Sequence, residues 1–110
     1  MRQYEIRWAD LPSPIGRRPV LLLSRDEAFA HLSRVLVAEI TTVIRGIPQE
    51  VRIGRREGLA SSSVANLDSV SAIAKRRIGE RLGSLGLGRE AEVKRALGYA
   101  LGWPELKLID

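Results

Sequence analysis

The chain has 110 residues, 45% of them hydrophobic, a formal net charge of +5 and no cysteine. That composition fits one globular domain spanning residues 1–110 and excludes disulfide scaffolds, thiolate zinc sites and Cys–His nucleophile pairs from within the chain. No apolar run approaches the roughly 18 residues of a membrane helix, and the opening MRQYEIRW lacks the apolar stretch of a signal peptide, so a cytoplasmic protein with no membrane partner is expected.

YEIRWAD (4–10) alternates Tyr4, Ile6 and Trp8 against Glu5, Arg7 and Ala9, the pattern of a half-buried strand with Trp8 in the core. Two prolines and a glycine in residues 11–16 make a short stiff loop. Pro19 suits the first position of a strand, and Val20-Leu21-Leu22-Leu23 reads as a strand buried on both faces. Ser24 or Asp26 is placed to cap a brief helix around Glu27, Ala28 and Phe29.

VLVAEITTVI (35–44) reads as a strand whose even positions Leu36, Ala38, Ile40 and Ile44 form a core face. Its odd positions set Glu39 and Thr41 side by side among Val35, Val37 and Val43. RGIP then turns the chain, and QEVRI (49–53) is a shorter strand followed by the charged loop GRREG. SSSVANLDSVSAIA (61–74) suggests two short strands around Asn66 and Asp68, and KRRIGER (75–81) a helical turn. REAEVKRALGYALG places Val93, Leu97, Ala100 and Leu101 on one helical stripe, with Glu90 and Glu92 in the first turn and Gly102-Trp103-Pro104 ending it. The order of elements predicts a small, strongly bent antiparallel sheet or barrel with an appended C-terminal helix.

Three of the 18 cations are lysine (Lys75, Lys94, Lys107), which leaves 15 arginines. Arginine's planar fork binds phosphate bidentately and stacks on bases, although GC-rich codon usage produces the same bias. A pI near 10.4 favours an anionic partner.

The blocks YEIRWADLPSPIGRRPVLLLSRDEA, VLVAEITTVIRGIPQEV and GLASSSVANLDSVSAIAKRRIGERLGSLG, closed by the amphipathic helix, resemble the MazF/PemK family of toxin endoribonucleases from about residue 4 to 102. The resemblance implies an SH3-like barrel, a homodimer, sequence-selective cleavage of single-stranded RNA, and control by a cognate antitoxin. It places the family's catalytic arginine at Arg18, directly before the proline of the R-P-V block, and its catalytic threonine at Thr41. Arg17, Ser24, Glu39, Thr42 and Arg45 lie in or beside these blocks and are candidate RNA contacts. Glu39 stands where many relatives carry proline or alanine, so its role does not transfer. The loop from Leu11 to Gly16 is shorter than the Gly-rich loop of many members, which bears on the sequence cleaved.

RNA is cut without metal or protein nucleophile when its own 2′-hydroxyl attacks the adjacent phosphorus. A bidentate guanidinium and a hydroxyl donor then stabilise the charge growing on the phosphoryl oxygens, roles that suit Arg18 and Thr41. Arginine is a poor general base; Glu39 either takes the proton or simply pairs with Arg17 or Arg18. No metal-ligand or dinucleotide spacing occurs, so no cofactor is expected. His31 reads as a surface residue, and Gly83, Gly86 and Gly88 as turn formers. By resemblance the same fold also supports gyrase-poisoning toxins of the CcdB type, against which Arg18 and Thr41 argue, and a third reading is an RNA-binding module without cleavage.

Overall fold

Val20, Leu21 and Leu22 are all fully inaccessible to solvent. Consecutive strand residues point to opposite faces, so this segment must be covered on both. A computed structural model describing all 110 residues shows how. Six antiparallel strands, β1 (Glu5–Leu11), β2 (Gly16–Leu22), β3 (Arg34–Thr41), β4 (Glu50–Ile53), β5 (Ser63–Ala74) and β6 (Ile78–Ser84), form one curled half-barrel in the order β4-β5-β3-β2-β1-β6. Helix α1 (Asp26–His31) lies on one face and α2 (Glu90–Leu101) on the other, with a short α3 (Pro104–Lys107) behind it.

Each face has its own core. Ile6, Leu21, Ala38, Ile40, Val51 and Ala65 pack with Val93 and Ala96 of α2. Val20, Leu22, Val35, Val37 and Ile73 pack with Ala28 and Phe29 of α1. Burying a side chain of the size of Leu21 or Val20 contributes about 1.5–3 kcal/mol, so β2 anchors both layers.

The sheet's two edges meet through glycine. Gly58, which follows a 3-10 turn after β4, adopts φ +97° and lies against Leu82, while a Cβ on Gly83 of β6 would collide with the Glu57 carbonyl. Only hydrogen at both positions permits this approach. Arg89 then ties α2 to the same corner: its guanidinium donates to Glu92 at 2.8 Å and to the Arg52 carbonyl at 2.6 Å. Bonded to Arg89, Glu92 titrates below the usual carboxylate range.

The bent antiparallel sheet with a C-terminal helix is the predicted architecture; several local expectations differ. β3 ends at Thr41 rather than Ile44, because Thr41 turns the backbone with its own side chain. Its even face is not the sole core face, since Val35 and Val37 are buried under α1 while Leu36 is 47% exposed. Residues 63–74 form one strand instead of two, interrupted by a bulge. The KRR of the expected helical turn is a 3-10 turn, but Ile78–Ser84 pairs with β1 as strand β6, where edge pairing overrides weak helical propensity. Ser24 does not cap α1; its hydroxyl accepts the Leu36 N–H at 2.8 Å. Gly102 ends α2 in the left-handed conformation as expected, but Pro104 opens α3 from its N1 position. His31 is exposed, while Trp8 is only partly buried and sits at the surface under Arg17.

Candidate active site

Two rows of registered residues cross the sheet at the end of β3. Glu39 stands opposite Asn66 of β5, which stands opposite Glu50 of β4; one row on, Thr41 stands opposite Val64, and Val64 opposite Arg52. Residues in register share a face. Val20 of β2 is registered with Glu39, and Arg18, two residues before Val20, therefore lies on that face too.

The register between β3 and β5 slips at this point. Ala38 pairs with Val70 and Glu39 with Asn66, leaving residues 67–69 without a β3 partner. Asn66 holds the bulge as an Asx turn, its Oδ1 accepting the Asp68 N–H at 2.9 Å and its Nδ2 donating to Ser69 Oγ at 3.4 Å. The displaced strand opens a cleft of about 300 Å³ in front of Glu39. It is lined by Arg18, Glu39 and Thr41, with Asn66 and Ser69 beside Glu39 on β5 and Glu50 and Arg45 beyond them.

Each polar group is held with capacity to spare. Arg18 Nη1 lies 3.3 Å from Glu39 Oε1, and neither its Nε nor its Nη2 has a protein partner. Both side chains are partly exposed (36% and 20%), so the pair adds at most about 1 kcal/mol to stability. Thr41 Oγ1 accepts the Val43 N–H at 3.1 Å, which fixes the oxygen and leaves its proton free to donate. Glu50 accepts the Arg45 and Gly46 N–H groups at 3.1 and 2.9 Å. That contact folds the loop after β3 back on itself and brings Arg45 to the cleft with its guanidinium unpaired.

Of the residues named from sequence, the structure gathers Arg18, Glu39, Thr41 and Arg45. Arg17 points to the opposite face, 4.6 Å above the Trp8 ring. Thr42 is exposed beside Thr41 without lining the cleft, and Ser24 is engaged at the far end of β3. Glu50, Asn66 and Ser69 were not singled out as cleft residues. The signal for Asn66 and Ser69 is the turn-forming cluster Asn66-Leu67-Asp68-Ser69, which reads as a break between strands until the register shows a bulge; Glu50 carries no such signal.

Known proteins resemble this chain over nearly its whole length. The family model for the PemK-like, MazF-like toxin of type II toxin–antitoxin systems matches residues 2–101. The chain belongs to this family. It is 40% identical over 98 residues to the probable endoribonuclease MazF5 of Mycobacterium tuberculosis, covering 88% of this chain and 89% of that protein. It is 38% identical over 88 residues to the endoribonuclease MazF3 of the same species, covering 78% and 85%. Among solved structures, the M. tuberculosis toxin MazF-mt6 superposes with a TM-score of 0.84 at 35% identity, covering 89% of this chain and 96% of that one. A mycobacterial endoribonuclease in complex with its cognate antitoxin gives a TM-score of 0.82 at 28% identity, covering 94% and 97%. The MazF-like fold thus accounts for both layers, and the Arg18–Thr41 cleft lies within the matched residues.

Proposed function

We propose that this toxin is an endoribonuclease that cuts single-stranded RNA by using the RNA's own 2′-hydroxyl. The observation that carries the proposal is the convergence of Arg18, Glu39 and Thr41 on one open cleft. A phosphodiester placed over it meets the two free faces of the Arg18 fork and the Thr41 proton. The 2′-oxygen forms a bond to phosphorus as the bond from phosphorus to the 5′-oxygen breaks. The 2′-proton is lost and a proton is delivered to the departing oxygen, leaving a 2′,3′-cyclic phosphate and a 5′-hydroxyl. Charge accumulating on the non-bridging oxygens falls where the guanidinium and hydroxyl point, which is the differential stabilisation that lowers a barrier. Glu39, bound to Arg18 through one oxygen, holds the fork in place.

Membership of the family supports a cognate antitoxin as protein partner, and the resemblance in sequence supports a homodimer acting in the cytoplasm. No helix is long and apolar enough to cross a membrane. Purified protein incubated with a long single-stranded RNA in EDTA tests the chemistry. Cyclic-phosphate and 5′-hydroxyl ends are expected, and a single 2′-deoxy substitution at the cleaved nucleotide should block cutting. Cleavage of the deoxy substrate, or 5′-phosphate ends, would refute 2′-hydroxyl attack. Retention of RNA without cutting would instead indicate a binding module, and neither binding nor cutting a protein-directed toxin of the gyrase-poisoning kind.

A further inference from the structure

The row Thr41–Val64–Arg52 does not stop at the cleft. Neighbouring strands lie about 4.8 Å apart, so Arg52 on edge strand β4 is two strands, about 10 Å, from Thr41 and on the same face of the sheet. Beyond it, the turn after β4 adds Arg55 and Arg56, and the segment entering β5 adds Ser61 and Ser62. These groups border a recess of about 700 Å³. The side chains of Arg52, Arg55 and Arg56 are exposed and make no hydrogen bond or ion pair within the protein.

The carboxylates nearby do not pair with them; Glu50, on the same strand face, is taken up by the Arg45 and Gly46 N–H groups. Glu57 is buried, accepts the Gly54 N–H at 2.6 Å and lies 3.4 Å from Arg89. Glu92 is likewise taken up by Arg89. Three unpaired guanidinia and two free hydroxyls therefore stand at one edge of the sheet, and one of them, Arg52, is in the register row of Thr41.

We infer that this edge is a second phosphate platform, on which Arg52, Arg55 and Arg56 bind the RNA backbone one or two nucleotides away from the cleaved linkage. The inference rests on the proposed RNA cleavage. It assigns the platform to RNA rather than to an acidic protein segment because Arg52 lies in the register row of Thr41, on the face of the sheet that carries the cleft. A forked donor suits a phosphate, and surface arginines that neutralise phosphates release the counterions condensed on the RNA. The platform contributes affinity for longer RNA and carries no part of the bond exchange.

The test compares the protein carrying Thr41→Ala, which disables cleavage, with the same protein also carrying Arg55→Ala and Arg56→Ala. Both are titrated with a short RNA confined to the cleft and a longer one reaching the edge, at several salt concentrations. Each lost contact on a single strand should reduce the log–log salt slope by about 0.7, so two lost contacts reduce it by about 1.4 for the longer RNA. Near 0.1 M salt that corresponds to roughly 25-fold weaker binding, and the preference for long over short RNA should collapse. If the slope and affinity for long RNA are unchanged while the parent toxin cleaves, the platform is refuted and the cleavage assignment stands. Loss of affinity for the cognate antitoxin with RNA binding intact would equally overturn it, in favour of an acidic peptide site. A parent that neither binds nor cuts RNA refutes both.

Discussion

Arg17 and Trp8 stack across the β1–β2 pair, with the guanidinium carbon 4.6 Å from the ring centre, while the adjacent Arg18 reaches through the opposite face to Glu39. One dipeptide thus serves two surfaces, a consequence of strand alternation alone. Neither Asp10 nor Glu39 pairs with Arg17, and Arg76, unpaired itself, borders the same depression. Arg17→Ala should therefore weaken RNA binding without slowing the bound complex, since the arginine is remote from the reacting phosphate. The salt slope for single-stranded RNA should fall by roughly 0.7. Stability should fall only by the value of an exposed cation–π contact, about 0.5–1 kcal/mol. Salt-series titrations in the Thr41→Ala background, with a thermal melt beside them, check both parts; an unchanged slope would remove Arg17 from the RNA surface.

Arg18 is the side chain whose loss should cost most in rate. Removing one preorganised donor to a developing oxyanion costs about 10²–10³ in rate. Arg18→Ala should lose at least that much while remaining folded, because the only polar partner it gives up is the carboxylate of a partly exposed ion pair. Arg18→Lys should also fail, since an ammonium cannot present two donors in one plane. Glu39→Gln separates positioning from proton transfer. If Glu39 only orients the fork, the variant retains a hydrogen bond to Arg18, slows the reaction modestly and leaves the shape of the pH–rate profile intact. A profile that loses its dependence on pH would assign the 2′-proton to Glu39.

The layered sheet was legible because its signals are local. The Pro-led apolar run could only be a strand covered twice, and the spacing of Val93 and Leu97 with a glycine stop defined α2. Arg18, Glu39 and Thr41 were legible because alternation carries Glu39 and Thr41 to one face, and the resemblance supplied the arginine. What was hidden depends on pairing across the sheet. The bulge at residues 67–69 exists only relative to β3, so Asn66 and Ser69 read as a break rather than as a cleft wall. Strand β6 was hidden in KRRIGER for the same reason, as its order comes from β1. Ser24 looked free for a cap or a ligand until β3 presented the Leu36 N–H to it.

The Arg89–Glu92 pair predicts an acid limb in stability. Its hydrogen bond holds Glu92 below the ordinary value of 4.5. A carboxyl whose folded value is depressed stabilises the fold above its unfolded value and loses that contribution as pH falls through the folded one. Stability should thus decline below about pH 4.5. Glu92→Gln should be less stable than the parent at neutral pH and approach it in acid. Urea melts at pH 7 and pH 3 test this; a difference that does not shrink in acid would place the contribution elsewhere.

Thr41 joins structure and chemistry in one oxygen, and its variants can be ordered in advance. Its Oγ1 accepts the Val43 N–H, a bond worth about 1 kcal/mol, and its proton is free to meet a phosphoryl oxygen. Thr41→Val matches the shape but removes both functions, so cleavage should drop by about 10²–10³ with a modest fall in melting temperature. Thr41→Ser keeps the hydroxyl and should retain most of the activity, losing only the methyl that restricts the rotamer. Thr41→Ala should cleave as poorly as the valine variant while still binding RNA, since Arg18 and Arg45 remain. Single-turnover cleavage of a labelled RNA, read beside the binding of its 2′-deoxy analogue, separates these effects. A valine variant that cuts at the parent's rate would remove Thr41 from the chemistry and leave the cleft's guanidinia, Arg18 foremost, to stabilise the phosphoryl oxygens.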